Sequence, residues 1–325
     1  MKKIVIDLMG SDLGKEEILA GALEAIEALP EYGFVLVGSF TENDKNNSVL
    51  QRYCERVELI QADEVFLNTD SPMEIPKGKE ETSLVKSLVK LASDDDCVAF
   101  LSCGSTGGLL VGSIFRVGLV SGLKMPALAS HALSKNLQRF VIVDCGANLD
   151  VDGKTLLKFG RLGIALEKSF ALKENPRVGL LNVGKEKGKG NALLKSAYPL
   201  FESSDMNFVG NIEGDHVFND EADVIICDGF AGNVLIKSAD HVSKVVLDMV
   251  MNELPESEES KALYAKIRAR FNYNEEGAAI VLGSKKICLK GHGSASRKTI
   301  LSSCLQADQL YRGGFIEAVA SALGE

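Results

Sequence analysis

The sequence contains no tryptophan, few aromatic residues (6%) and no basic excess. With 36 Lys and Arg against 45 Asp and Glu, its formal net charge is −9 at pH 7. A protein that wraps DNA or RNA presents a basic face to the phosphate backbone, so this balance argues against nucleic acid as a partner. No run of about 18 apolar residues is present, which leaves no candidate membrane-spanning helix. The apolar stretch after Met1-Lys2-Lys3 is too short for a signal peptide and reads as a strand. The seven cysteines, at 54, 97, 103, 145, 227, 288 and 304, form no C-x-x-C pair. Their odd number and wide spacing predict reduced, buried thiols in a cytoplasmic protein, with no metal held by cysteine.

Several familiar motifs are also missing. The absence of G-x-x-x-x-G-K-[ST] excludes a P-loop enzyme, and the absence of G-x-G-x-x-G after the first strand leaves a dinucleotide cofactor unsupported. Without Gly-x-Ser-x-Gly, a serine hydrolase of the nucleophile-elbow kind is disfavoured. His131, His216 and His241 have no partner at metal-ligand spacing and read as structural or exposed. The expectation is an enzyme with no metal and no cofactor.

What is present is glycine, 31 residues in 325, most of it at the ends of apolar runs. Strands are predicted at Lys3–Leu8, Phe34–Gly38, Val57–Gln61, Cys97–Ser102, Phe140–Cys145, Arg177–Val183, Asn207–Val209, Ala222–Cys227 and Lys286–Lys290. Several are nearly continuous Val, Ile and Leu, the pattern of parallel strands covered on both faces. Helical periodicity appears in Glu16–Leu29, Ser83–Ala92, Thr106–Val120, Lys154–Ala171, Asn191–Phe201 and Ala239–Leu254. This alternation predicts a layered α/β fold with a mainly parallel sheet. We expect one α/β catalytic domain over residues 1–325, with two lobes as the alternative, and a helical excursion at about residues 239–272 around the acidic break Pro255–Ser260. The stretch Asn68–Thr82, with Pro72, Pro76 and Gly78, reads as a long loop.

In open α/β sheets ligands bind beyond the carboxyl ends of the strands, so the residues after each strand carry the interest. Six such turns are rich in glycine: Asp7–Asp12, Gly104–Gly108, Gly146–Asn148, Gly184–Asn191, Asp228–Asn233 and Gly291–Ser296. Glycine before a helix lets backbone N–H groups converge on an anion, assisted by the helix dipole. Any one of these turns could merely reverse the chain; six together point to phosphate. His292 lies between two glycines at a strand–helix turn, where little side-chain bulk would keep a ligand away.

In order along the chain, these turns resemble those of the bacterial phosphate acyltransferases of phospholipid synthesis, from residue 1 to about residue 315. Asp7, Met9, Gly10 and Asp12 match the family's Asp-Ala-Met-Gly-Gly-Asp-His motif. Gly104-Ser105-Thr106-Gly107-Gly108 is similar to its Gly-Asn-Thr-Gly-Ala turn. Asp144-Cys145-Gly146-Ala147-Asn148, Gly179–Glu186 with Gly190-Asn191, Asp228–Asn233 with Lys237, and Lys290–Ser294 match the others. The resemblance implies a three-layer α/β/α sandwich like that of isocitrate and isopropylmalate dehydrogenases. It implies formation of acyl phosphate from acyl-[acyl carrier protein] and inorganic phosphate by a homodimer that can touch the inner face of the membrane.

On this resemblance the amides of Gly104, Ser105, Thr106, Gly107, Gly293 and Ser294, with Lys185, Lys290 or Arg297, would hold phosphate. His292 would donate to the oxyanion or protonate the leaving thiolate. Asn148, Asn191 and Asn233 would orient substrate and Asp228 would anchor its loop, with His292, Asn233 and Asp228 forming the catalytic group. The chain resembles a divergent member of that family. Ser11-Asp12-Leu13-Gly14 replaces the His and Pro of the first motif, Ser105 replaces Asn and Lys185 replaces Thr. The loop at Glu74–Glu80 lacks the family's basic cluster, which weakens the basis for docking an acidic carrier protein. A phosphotransacetylase- or phosphate butyryltransferase-like enzyme acting on short acyl-CoA, or a non-catalytic metabolite-binding homologue, are the alternatives.

Overall fold

A computed structural model describes residues 1–170, 173–271 and 277–324. The chain divides into two units, Met1–Pro126 with Glu276–Glu325, and Ala127–Glu275. The first begins with β1 (Lys3–Asp7), α1 (Lys15–Ala28), β2 (Gly33–Gly38), the short helices α2 (Glu42–Lys45) and α3 (Ser48–Arg52), and β3 (Val57–Gln61). It continues through α4 (Ser83–Ser93), β4 (Cys97–Ser102) and α5 (Thr106–Gly112). The second unit holds β5 (Ala127–Leu133), β6 (Arg139–Val143), α6 (Gly153–Ser169), β7 (Val178–Asn182), α7 (Ala192–Glu202), β8 (Phe208–Glu213), β9 (Val224–Ile226), α8 (Gly229–Glu253) and α9 (Glu258–Phe271). The chain then returns to the first unit with β10 (Ala279–Leu282), β11 (Ile287–Lys290), α10 (Arg297–Arg312) and α11 (Phe315–Ala322).

Strands of the first unit run in the order β3-β2-β1-β4-β11-β10, all parallel except β10, which is antiparallel to β11. Ile4–Asp7 and the whole of β2 are buried, as their apolar composition predicts for strands covered on both faces. The strand order reverses between β1 and β4: β2 lies on one side of β1 and β4 on the other. Right-handed crossovers then send the connections to opposite faces and open a crevice at the carboxyl ends of β1 and β4. α4 packs on β1 and β4, while α1 packs on α10. In the second unit the order is β5-β6-β9-β7-β8, with β5 antiparallel to β6 and the other pairs parallel. The fold is α/β, with a mostly parallel arrangement of strands and flanking helices.

Two strands went unanticipated. β5 is alanine-rich with Ser130 and His131 at its centre and so lacks a Val/Ile signal, whereas β10 is the apolar Ala279-Ile280-Val281-Leu282 but only four residues long. The helix predicted over Thr106–Val120 ends at Gly112 and continues as a π-turn over Ser113–Val117, closed by Gly118 at φ +90°. The helix predicted to start at Ala239 starts ten residues earlier, at Gly229, because Asp228 caps it through the Ala231 amide at 2.8 Å. The predicted end of one helix at Ala171 and of the helical excursion at residue 272 lie outside the described residues. No helix among the described residues is long and apolar enough to cross a membrane.

Candidate active site

The carboxyl ends of three adjacent strands set the chemistry of the first unit. Asp7 closes β1, Ser102 closes β4 and Lys290 closes β11, and the register pairs Asp7 with Ser102 and Ser102 with Lys290. Register partners on parallel strands share a face, so the three form one polar row across an otherwise apolar sheet. All three are buried. Ser102 Oγ donates to Asp7 Oδ2 at 2.8 Å and accepts the Gly104 amide at 3.1 Å. Asp7 Oδ1 accepts the Met9 amide at 3.0 Å. Lys290 Nζ donates to the carbonyl of Cys103 at 3.4 Å and to that of Gly291.

Burial governs the titration of this row. Desolvation raises the Asp7 carboxyl to about 6, against the opposing pull of the Ser83 hydroxyl, of its Met9 and Ser102 hydrogen bonds and of the Lys290 charge. Desolvation also lowers the Lys290 ammonium, while Asp12 and Asp7 favour its charge. Burial lifts the Cys103 thiol to about 12, so it stands as a neutral thiol beside them.

Above the row the three glycine turns interlock. Gly10, at φ +79°, passes so close to Gly104 that a Cβ on it would lie 2.9 Å from the Gly104 Cα. The Gly293 carbonyl accepts the Asp12 amide at 2.8 Å and Ser11 Oγ at 2.9 Å. Ser105 caps α5 through the Gly108 amide at 3.2 Å, which leaves Thr106 and Gly107 in the first turn of that helix. His292 is exposed, and its Nδ1 accepts the Ser294 amide at 3.2 Å and faces Ser294 Oγ at 2.8 Å. An acceptor Nδ1 assigns the proton of the neutral ring to Nε2, making that atom a hydrogen-bond donor. Arg297 is bound to Glu17, by its backbone amide at 2.8 Å and by Nη2 at 3.3 Å.

The remaining candidates lie in the second unit. Asp144, fully buried after β6, accepts the amides of Leu128, Gly146, Ala147 and Asn148 and the side-chain Nδ2 of Asn148, at 2.7–3.1 Å. Asn233 Nδ2 donates to the Cys145 carbonyl at 3.2 Å, and Gly229 N donates to the Asn148 carbonyl at 2.7 Å. These bonds draw Asn148, Asp228 and Asn233 into one brace that docks the start of α8 on the turn after β6. Asn191 caps α7 through the Leu194 amide at 3.0 Å. Lys185, exposed, approaches His216 Nδ1 and Glu221 at 3.3 Å. His216, read from sequence as lacking ligand-spaced partners, stands with Glu213 and Asp215, their ligand atoms within 4.8 Å of one another. Asp215 and Glu213 precede it by one and three residues, a spacing too short to stand out until the 3₁₀ turn at Gly214–His216 folds it together.

Sequence reasoning did not single out Ser102, and it matched Asp7 only as a motif letter. The available signal was a polar residue closing an apolar strand, at Asp7, Ser102 and Lys290 alike. Lateral pairing of β1, β4 and β11 makes these three a group, and that pairing is not written locally.

Parallel strands ending in interlocked glycine turns define an α/β enzyme with the phosphotransacylase fold. A branched-chain phosphotransacylase from Enterococcus faecalis V583 matches with a TM-score of 0.59 and 14% identity, covering 95% of this chain and 99% of that one. A phosphotransacetylase from Streptococcus pyogenes matches with a TM-score of 0.57 and 16% identity, covering 100% and 94%. At these identities the likeness is one of fold. The chain belongs to the family described as Fatty acid synthesis protein, whose model matches residues 2–318. Its relatives include the phosphate acyltransferase of Clostridium tetani (strain Massachusetts / E88), 34% identical over 99% of this chain and 98% of that protein. The phosphate acyltransferase of Caldanaerobacter subterraneus subsp. tengcongensis is 35% identical over 95% and 93%.

Proposed function

We propose that this chain transfers an acyl group from a thioester to inorganic phosphate, with acyl-[acyl carrier protein] as donor in phospholipid synthesis. One observation carries the reading. The turns at Gly104–Gly107 and Lys290–Ser294 follow adjacent parallel strands and are bonded to one another's framework, in a chain similar along nearly its whole length to phosphate acyltransferases. In the proposed reaction a phosphate oxygen attacks the thioester carbonyl, the C–S bond breaks, and the proton lost by phosphate ends on the departing thiolate. Phosphate is itself the nucleophile, so positioning and charge stabilisation supply the rate. The amides of Gly104, Ser105, Thr106, Gly107, Gly293 and Ser294 hold phosphate over the buried Lys290, and His292 Nε2–H donates to the oxyanion. For Asn148, Asp228 and Asn233 the bonds described above favour a positioning role, and Arg297 is held by Glu17.

A short acyl-CoA donor is the second reading, favoured by the loop after β3. There Lys79 is paired with Asp70 and Glu74, and Glu80 of the same loop pairs with Arg116 from the turn after α5, which partly neutralises the basic groups that would greet an acidic carrier. Comparing acyl-[acyl carrier protein] with acyl-CoA donors, each with and without phosphate, tests both: phosphate-dependent thiol release from the carrier supports the first, release from CoA alone the second.

The reading includes a cytoplasmic homodimer. α8 exposes Val242, Val245, Val246, Met249 and Val250, an i, i+3, i+4, i+7, i+8 stripe that a second copy would cover. Contact with the membrane surface is the other use of that stripe. Sedimentation at micromolar concentration tests the dimer, and flotation with anionic liposomes tests the membrane contact.

A further inference from the structure

Asp7 uses its two carboxylate oxygens on two different turns. Oδ1 takes the Met9 amide at 3.0 Å and so fixes the turn through Gly10. Oδ2 takes Ser102 Oγ–H at 2.8 Å, and the same hydroxyl oxygen accepts the Gly104 amide at 3.1 Å, fixing the turn that opens α5. A serine hydroxyl has one proton to give, and a carboxylate that claims it turns the lone pairs toward Gly104 N–H. The third turn is tied to the same point, since Gly291 N donates to the Ser102 carbonyl at 2.9 Å and Lys290 Nζ to the Cys103 carbonyl at 3.4 Å. The Gly10 and Gly104 backbones touch, so a shift in either turn displaces the other.

We propose that Asp7, acting through Ser102, is the positioning residue that holds the glycine turns after β1 and β4 in the geometry that binds phosphate. The inference rests on the phosphate-binding reading of those turns. Asp7 itself touches no substrate. Its effect is geometric: amides aimed at an anion lose their value when misplaced by a fraction of an ångström. The charged and titratable groups around it are Lys290 on β11 and Cys103 after β4, with the Ser83 hydroxyl at the start of α4 as a further polar neighbour; Asp12 in the first turn acts on Lys290. When the carboxyl takes a proton, one oxygen becomes a donor, and the Ser102 hydroxyl and the Met9 amide then compete for fewer lone pairs.

Asp7→Asn and Ser102→Ala test the inference, with Ser102→Thr as the conservative rescue. In Asp7→Asn an amide nitrogen replaces one carboxylate oxygen, so either the Ser102 hydroxyl or the Met9 amide faces a donor, and the carboxylate no longer anchors both turns at once. The expected result is a rise of at least tenfold in the KM for phosphate in Asp7→Asn and Ser102→Ala, with partial recovery in Ser102→Thr. Once the titration of phosphate itself is divided out, the acid limb of the wild-type rate is expected to weaken in Asp7→Asn. An unchanged phosphate KM in Asp7→Asn and Ser102→Ala overturns the proposal. Amide hydrogen exchange reads the same pin without substrate: Gly104 should exchange at least tenfold faster in Ser102→Ala than in wild type, and equal rates overturn it. A wild-type protein that makes no acyl phosphate removes the function reading alone, because the exchange comparison still decides the pin.

Discussion

The backbone of Gly232 in α8 runs directly against the carbonyl of Asp144: a Cβ on Gly232 would lie 1.9 Å from that oxygen. Nothing but glycine fits without moving the helix or the turn after β6. The same docking brings Gly229 onto the Asn148 backbone and Asn233 onto the Cys145 carbonyl. Gly232→Ala should therefore destabilise the protein by about 3 kcal/mol, the upper range for overpacking, because the clash is with backbone and no rotamer relieves it. Chemical denaturation checks this, and Ala231→Gly, one position along the same helix, serves as the control with a cost of about 1 kcal/mol.

Asp7 predicts a pH dependence of stability. Its carboxyl stands at about 6 in the folded protein against an ordinary value of 3.8. The folded state therefore binds more protons than the unfolded one across that window, and the group's contribution is full below about pH 4 and lost as pH rises through 6. Roughly two units correspond to about 3 kcal/mol. Melting temperatures measured from pH 4 to 7 should rise more, or fall less, with pH in Asp7→Asn than in wild type. Parallel curves would contradict the assignment.

His292→Ala should lower acyl-phosphate formation by roughly 10²-fold, the lower range for loss of a positioned proton-transfer or donor group. The fold should be unaffected, since the ring is exposed and its Nδ1 is engaged by Ser294 of the same turn. Circular dichroism and the initial rate, measured on the same preparation, separate the two effects. Full activity in the variant removes His292 from the chemistry.

Native thiol labelling should modify one cysteine. Cys54 is exposed while the other six are buried. Burial lifts the thiols of Cys97 to about 11 and of Cys103, Cys288 and Cys304 to about 12. Intact-mass analysis after brief iodoacetamide treatment at pH 8 should show one adduct, and all seven after denaturation.

The sequence announces β1, β4 and β11 and the glycine turns after them, because parallel strands are apolar runs and glycine marks where they end. It announces the phosphate-friendly composition of Gly104–Gly107 and Gly291–Ser294 for the same local reason. It does not reveal the Asp7–Ser102–Lys290 row, which exists only once β4 lies between β1 and β11, and those three strands come from positions nearly 300 residues apart. Nor does it separate ligand-facing polar side chains from those that bond within the turns themselves. Asn148 and Asn233 sit in glycine turns and read as substrate contacts, yet their amides go to Asp144 and Cys145. A short amide beside glycine has the same sequence signature in either use.

The most direct measurement follows radiolabelled inorganic phosphate into an extractable acyl phosphate, with long-chain acyl-[acyl carrier protein] as the donor and the purified protein as the only catalyst. Label should enter the lipid-soluble fraction in step with release of the carrier thiol, and both should stop when phosphate is omitted. Thiol release that is independent of phosphate, or no labelled product from either carrier-protein or CoA donors, would contradict acyl transfer to phosphate as the activity of this chain.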